Sequence, residues 1–403
     1  QSLIPQKELN IAAHDVARVI DSNDAREILS FEEAISGREG VYEPINRRTS
    51  PGYPYNLNNV GGGKKAWLGS DETYIYSDEV RKDVNDLLDA CRENRRGDVV
   101  FLATLKDERR PIAKVDAGKT RVFEAAPMHF VIAMRMYFLA FVESMKRNRI
   151  DNEIAVGTNV YSMDWHRIGQ KLSTYNAIVA GDFSNFDGSL NQEILWKICD
   201  IINDWYDDSE ENQLIRRVLW EEVCNTNVLV RGELIRQTHS QPSGNPMTVV
   251  INSIFNQIVM RMAYLICKQD EGLGCLCDFT EHVRFVTYGD DNILSISPEV
   301  LEWYNQLTIT RALASFGLTY TDEAKTGELV AYRPLDECSF LKRGFVVDVN
   351  GYYRAPLDRT VVLEMSQWIK GKMTKAATAE NVETSLPELA LHGKEYYDKY
   401  APL

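Results

Sequence analysis

Two adjacent carboxylates stand in the run Tyr288-Gly289-Asp290-Asp291, inside a stretch, Val283–Ile296, that alternates in polarity. Such alternation around a Gly-Asp pair predicts a β-hairpin with its central residues exposed. Neighbouring carboxylates repel, and a divalent cation held between them offsets the repulsion. Alone, the pattern is more often a plain polar turn. A second acid changes the weighing: Asp182 ends the apolar run Ala177-Ile178-Val179-Ala180-Gly181. Carboxylates at the ends of neighbouring strands can converge on two ions roughly 3.5–4 Å apart, which stabilise the attacking and leaving oxygens of an in-line phosphoryl transfer. The competing role for Asp182 is to cap the helix that begins after Gly188, but Ser189 or Asn191 can serve there. Asp182, Asp290 and Asp291 are therefore the candidates for catalysis and for binding Mg²⁺, with Mn²⁺ as a substitute.

Three other groups could serve the same chemistry. Gln241-Pro242-Ser243-Gly244-Asn245-Pro246 is a turn leading into a helix, whose early N–H groups suit phosphate or sugar. Thr248, Asn252 and Asn256 recur every fourth residue among Val249, Val250, Ile251, Ile254, Phe255, Ile258 and Val259, so they share one face of a mostly buried helix and need partners. They form either a satisfied core network or, through Asn252 and Asp187, a grip on a ribose 2′-hydroxyl, which both donates and accepts. From Lys106 to Arg121, the basic Lys106, Arg109, Arg110, Lys114, Lys119 and Arg121 outnumber the acidic Asp107, Glu108 and Asp116. Pro111 and Gly118 interrupt this strip, which is expected to be extended and to neutralise a triphosphate along a channel wall. Lys325 is an ordinary surface lysine unless it faces the acids, where it would be a general acid for departing pyrophosphate.

Helical periodicity runs over Ser77–Asn94, Met128–Arg147, Leu190–Trp205, Pro246–Lys268 and Thr308–Phe316, and through most of the tail to Leu403. Further hairpins are expected at Asn227–Gln237 around Arg231-Gly232, and at Phe340–Asp348 with Tyr352–Ala355 through Asn350-Gly351. Gly61-Gly62-Gly63-Lys64-Lys65 reads as a flexible loop. Mixed helices and antiparallel hairpins make the chain α+β. With 403 residues, 44% hydrophobic and 26% charged, the composition is that of a folded protein and excludes disorder. No run reaches the roughly 18 uninterrupted apolar residues of a spanning helix. Arg135 breaks Phe130–Val142, and Asn252, Asn256 and Arg261 break Met247–Cys267. A net charge of −14 argues against an openly basic nucleic-acid surface, so handling of polyanions falls to the local strip. Seven cysteines without a signal-peptide pattern suggest reduced thiols, and Cys275-Leu276-Cys277 near His282 lacks the second pair of a zinc site.

The order of these motifs carries a resemblance. Thr49-Ser50-Pro51-Gly52-Tyr53-Pro54 comes first, then Lys106-Asp107-Glu108 through Gly118-Lys119-Thr120-Arg121, Asp182 with Asp187, and Ser243-Gly244 with Thr248 and Asn252. Tyr288-Gly289-Asp290-Asp291, Lys325 and Phe340-Leu341-Lys342-Arg343-Gly344-Phe345 complete the series. The chain resembles the RNA-dependent RNA polymerases of picorna-like positive-strand RNA viruses, most nearly those of insect iflaviruses and dicistroviruses. The resemblance implies a closed right hand with an antiparallel palm sheet flanked by helices: fingers at 1–139 and 223–240, palm at 140–222 and 241–345, thumb at 346–403. It implies metal binding by Asp182, Asp290 and Asp291, and triphosphate binding by Lys106, Arg110, Lys114 and Arg121. Asp187, Ser243, Thr248 and Asn252 would check the ribose, and Lys325 would protonate pyrophosphate. Thr49 and Ser50 would guide the template. Gly244, Tyr288, Leu341, Lys342 and Arg343 would touch RNA, the segment from Phe340 to Phe345 gripping the primer end.

Reverse transcriptases carry a bulky aromatic where Asp187 stands, so the resemblance implies ribonucleotide substrates. It also implies an RNA template and primer, NTPs, a genome-linked protein primer and other viral replication proteins as partners. The expected location is the host cytoplasm at virus-induced replication membranes, and the start at Gln1-Ser2 fits release from a polyprotein. The competing readings are a reverse transcriptase-like polymerase and a catalytically dead RNA-binding scaffold.

Overall fold

The computed structural model describes residues 3–58, 61–70, 72–238, 240–323, 329–369 and 374–402. They form two compact units, one comprising Gln1–Ala12, Arg149–Ser184 and Val259–Leu403, the other Ala13–Asn148 and Asn185–Ile258.

The first unit is built on a four-stranded antiparallel sheet in the order Val283–Tyr288, Asp291–Ile296, Ala177–Phe183, Tyr320–Asp322. The Ala177–Phe183 strand is apolar on both faces, as its interior position requires. Trp165, Ile168 and Leu172 of the helix Met163–Leu172 pack with Ile178, Val286, Ile293, Phe340 and Phe345 into one core. Gly181 accepts no side chain, because a Cβ there would lie 1.9 Å from Tyr320 Cζ. Tyr320 is buried beside Phe183, and its hydroxyl donates to Asn292 Oδ1 at 2.6 Å, so three strands are tied together over Gly181. Gly181→Ala is expected to cost about 1–3 kcal/mol of overpacking. Thermal denaturation should show a melting point lower by several degrees, and an unchanged one would show that the ring can move aside.

The second unit packs the helices Asp78–Arg92, Met128–Arg147, Gln192–Tyr206 and Glu210–Cys224 with a sheet ordered Val122–Ala125, Phe101–Leu105, Asn227–Val230, Glu233–Arg236. The middle pair is parallel, as strands far apart in sequence can be, and the outer pairs are antiparallel. Asn191 caps the helix Gln192–Tyr206 by accepting from Glu193 N at 2.7 Å, which relieves Asp182 of that role. Arg231 (φ +50°) and Gly232 (φ +88°) make the expected tight hairpin turn.

Two expectations need correction. The strip from Lys106 to Arg121 is not extended throughout: the backbone from Ile112 to Asp116 is helical directly after Pro111, with none of its residues buried. The last hairpin pairs only Val346–Val347 with Tyr353–Arg354, because Phe340–Arg343 closes a separate turn. The helices Met128–Arg147 and Thr248–Asp270 are long and apolar enough to cross a membrane, yet 78% and 89% of their apolar windows are buried inside the protein. They serve as core helices.

Candidate active site

In the first unit, Gly289-Asp290 forms a two-residue turn closed by Tyr288 paired with Asp291. Gly289, at φ +62°, takes the first central position, where such turns require left-handed backbone. Asp290 is exposed beside it. The buried Thr287 hydroxyl donates to Asp291 O at 2.9 Å and braces the turn. Thr287 is itself fixed through its backbone to Glu153 and Ala155, at 2.8 Å each. Glu153 in turn pairs with the fully buried Arg261 at 2.9 Å. Pairing of the next strand stops at Gly181 with Asn292, one residue short of Asp182 on one side and Asp291 on the other. The register thus delivers all three carboxylates to one end of one sheet. Among the described residues no three His, Cys, Asp or Glu side chains form a closed cage. Mg²⁺ does not require one: it keeps several waters and takes one or two carboxylates together with substrate phosphates. The donor set fits that ion.

The ribose candidates lie in the second unit. Asp187 sits on the short helix Phe186–Ser189, entered through Asn185 in left-handed backbone (φ +52°). Asn252 Nδ2 donates to Asp187 Oδ1 at 3.2 Å. Asn252 is 6% exposed, and its Oδ1 has no partner among the described residues. A buried acceptor left so is costly, and a hydroxyl donor would satisfy it. Surrounding protein raises the Asp187 carboxyl above its ordinary range, opposed by the Asn252 donor and the Arg121 charge. Asp187 is exposed to solvent. Ser243 and Thr248 shape the neighbouring loop. Ser243 Oγ accepts from Glu124 N at 3.1 Å, and the Thr248 hydroxyl donates to Asn245 O at 2.8 Å. Gly244 bridges to Ala125 so closely that a Cβ would meet Glu124 O at 2.0 Å. Glu124 has a raised carboxyl, chiefly through burial, with the Asp187 charge contributing.

The basic strip is organised by one acid. Arg121 makes a two-pronged pair with Glu108, and Lys106 and Arg110 each lie 3.7 Å from the same carboxylate. Arg121 in particular pulls the Glu108 carboxyl down to about 2. Lys114 rides on the exposed Ile112–Asp116 helix.

Thr49 and Ser50 are exposed at a cavity of about 340 Å³ that Lys64, Arg135, Ser243 and Asn245 also line. Lys64 is 5% exposed, its ammonium donating to the Thr49 hydroxyl and to Asn46 O at 3.4 Å. Burial pushes its pKa down to about 8. Its charged form is therefore present below that pH and lost as pH rises through it. RNA binding is expected to weaken from about pH 7 to about pH 9 and to stay level in Lys64→Arg, which holds its charge throughout. A flat wild-type profile in a titration of RNA affinity would remove Lys64 from the RNA path.

In the first unit, Leu341 (φ +54°) and Lys342 (φ +62°) both adopt left-handed backbone, and Phe340 and Arg343 exchange N–H···O bonds of 3.0 Å around them. Leu341 and Tyr288 pack against the same apolar cluster, so this turn and the acid-bearing hairpin share a base. Lys342 is exposed. Arg343 instead spends its guanidinium on Glu388, with bonds of 2.7 and 2.8 Å. Lys325 lies outside the described residues.

Comparison with known proteins bears directly on this geometry. The family model described as viral RNA-dependent RNA polymerase matches residues 12–402. The chain belongs to that family. It is 41% identical to the replicase polyprotein of Acute bee paralysis virus (strain Rothamsted), over 94% of this chain and 21% of that one. The replicase polyproteins of Drosophila C virus (strain EB) and Cricket paralysis virus are 40% and 41% identical, over 99% and 96% of this chain and 24% of each relative. The chain thus spans under a quarter of the length of these relatives. The solved Sicinivirus 3Dpol RNA dependent RNA polymerase matches with a TM-score of 0.83 at 21% identity, covering 100% of this chain and 81% of that one. The fold is accordingly the α+β right-hand polymerase fold with its antiparallel sheet, as the motif order implied. Polymerases of this family generally use divalent metal ions.

Proposed function

We propose that the chain is the template-directed RNA polymerase that replicates a positive-strand viral RNA genome. It would extend a primer on an RNA template with ribonucleoside triphosphates and release pyrophosphate. The observation that carries this reading is the strand register that brings Asp182 alongside the Asp290-Asp291 turn. Asp182, Asp290 and Asp291 would hold two Mg²⁺ ions, or Mn²⁺ in their place, which when bound activate the primer 3′-hydroxyl and stabilise charge on the transferring phosphate. Arg121, Lys106, Arg110 and Lys114 bind the triphosphate, which takes over the cations that Glu108 holds at rest. Asp187 and Asn252 bind the ribose, the Asn252 oxygen accepting from the 2′-hydroxyl. Thr49, Ser50 and Gly244 orient the template, Tyr288, Leu341 and Lys342 orient the primer end, and Lys325 holds the proton that pyrophosphate takes as it leaves.

On this reading the hand divides into fingers (1–139 and 223–240), palm (140–222 and 241–345) and thumb (346–403). The chain is a cleavage product of a polyprotein, primed by a genome-linked protein and working with other viral replication proteins at replication membranes in the host cytoplasm. The test is primer extension with the four NTPs or the four dNTPs on RNA and DNA templates. Extension on RNA with NTPs supports the reading. Preference for dNTPs would favour a reverse transcriptase-like enzyme, and RNA binding without product a scaffold.

A further inference from the structure

The turn at Leu341-Lys342 is held in a conformation its residues do not prefer. Left-handed backbone is rare for non-glycine residues and is a genuine outlier for a bulky one, so a pair in succession persists only where the surroundings impose it. On one side the cause is visible: Phe340 and Phe345 are buried and stacked on Trp165, with ring centroids 6.2 and 5.0 Å away. On the other side stands Arg343, whose guanidinium donates to Ala355 O at 2.9 Å and makes two further bonds to Glu388 of the helix Lys375–Ala390. The Glu388 side chain is 4% exposed and also accepts from the Tyr161 hydroxyl. Tyr161 lies under the Arg343 guanidinium, 5.7 Å from ring centroid to Cζ. A carboxylate this buried needs its donors, so the helix Lys375–Ala390, the loop at Tyr161 and the turn are locked to one another. The turn's only exposed cation is Lys342.

We infer that Glu388, acting through Arg343 and seconded by Tyr161, is a positioning residue that sets the turn so that Lys342 meets a phosphate at the primer end. The inference rests on the polymerase reading above and adds residues to it. The helix Lys375–Ala390 then takes part in holding the primer without touching RNA.

The test is a mutant cycle in primer extension by the full chain, measured as a function of primer–template concentration, with melting temperatures alongside. Glu388→Gln is expected to raise the primer–template concentration needed for half-maximal rate by about tenfold, the scale of one charge-assisted contact, and to leave the rate at saturation near that of wild type. Lys342→Ala should show the same effect. The double variant should be no worse than Lys342→Ala alone, because the two residues act on one contact. Additive losses, or a fall in saturating rate that follows melting temperature, would reduce Glu388 to a purely structural role and overturn the inference. Tyr161→Phe, which removes one hydroxyl from a half-exposed ring, gives a milder arm of the same cycle if Glu388→Gln does not fold. Wild-type protein that extends no primer would instead defeat the polymerase reading itself, so the two failures are distinguishable.

Discussion

Asp290→Asn is expected to abolish nucleotide addition, by a factor on the order of a thousand or more, the scale of losing a group that stabilises transition-state charge. The protein should remain folded. Asp290 is exposed at the tip of its turn, and the left-handed backbone that makes the turn possible belongs to Gly289. Asparagine keeps the shape and removes the charge, so a loss of rate without a loss of melting temperature isolates the electrostatic role. Single-turnover incorporation with Mg²⁺, compared with thermal denaturation of the same preparation, makes the measurement. Asp291→Asn should likewise leave the hairpin intact, because the pairing with Tyr288 and the bond accepted from Thr287 are made by the Asp291 backbone. Normal incorporation by Asp290→Asn would remove the metal site from this hairpin.

The second large effect is on the choice of sugar. Asp187→Ala is expected to erode the preference for ribo- over deoxyribonucleotides by about 10- to 100-fold, since a site built to hydrogen-bond a hydroxyl penalises the analogue lacking it through its own unpaired groups. Removing Asp187 leaves Asn252, already short of a donor at Oδ1, without the acceptor that holds its Nδ2. The amide can then turn, and the orientation that favours a 2′-hydroxyl is lost. Asn252→Leu should act in the same direction. It would also drive the already raised Asp187 carboxyl higher, because the Asn252 donor is what lowers it. The ratio of kcat/KM for a ribonucleotide and its deoxy analogue is the readout, and an unchanged ratio would put the ribose check on other residues.

Much of this was legible because it is local. The helix Met128–Arg147 and the hairpins at Arg231-Gly232 and Gly289-Asp290 are specified by periodicity and by turn residues within a few positions of one another. The alternative cap at Asn191 was visible for the same reason. What escaped depends on partners distant in sequence. Glu108 counted only as an opposing charge in a basic strip, whereas three of the strip's cations gather on it. Lys64 belonged to a glycine-rich loop that reads as flexible, yet Gly63 packs so closely on Arg48 O that a Cβ would stand 2.6 Å away, and Lys64 is buried. Arg343 reads as a basic RNA contact, and its ion pair with Glu388, 45 positions later, has no local signal. The helix at Ile112–Asp116 carries no buried face, so no hydrophobic period announced it.

The most direct test of the central claim is single-nucleotide primer extension by the wild-type chain on RNA templates that differ only in the first templating base, with each of the four NTPs supplied singly and Mg²⁺. The account predicts one added ribonucleotide complementary to whichever base is presented, with none added when the metal is chelated. Addition that ignores the template base, or that persists without a divalent ion, would contradict it.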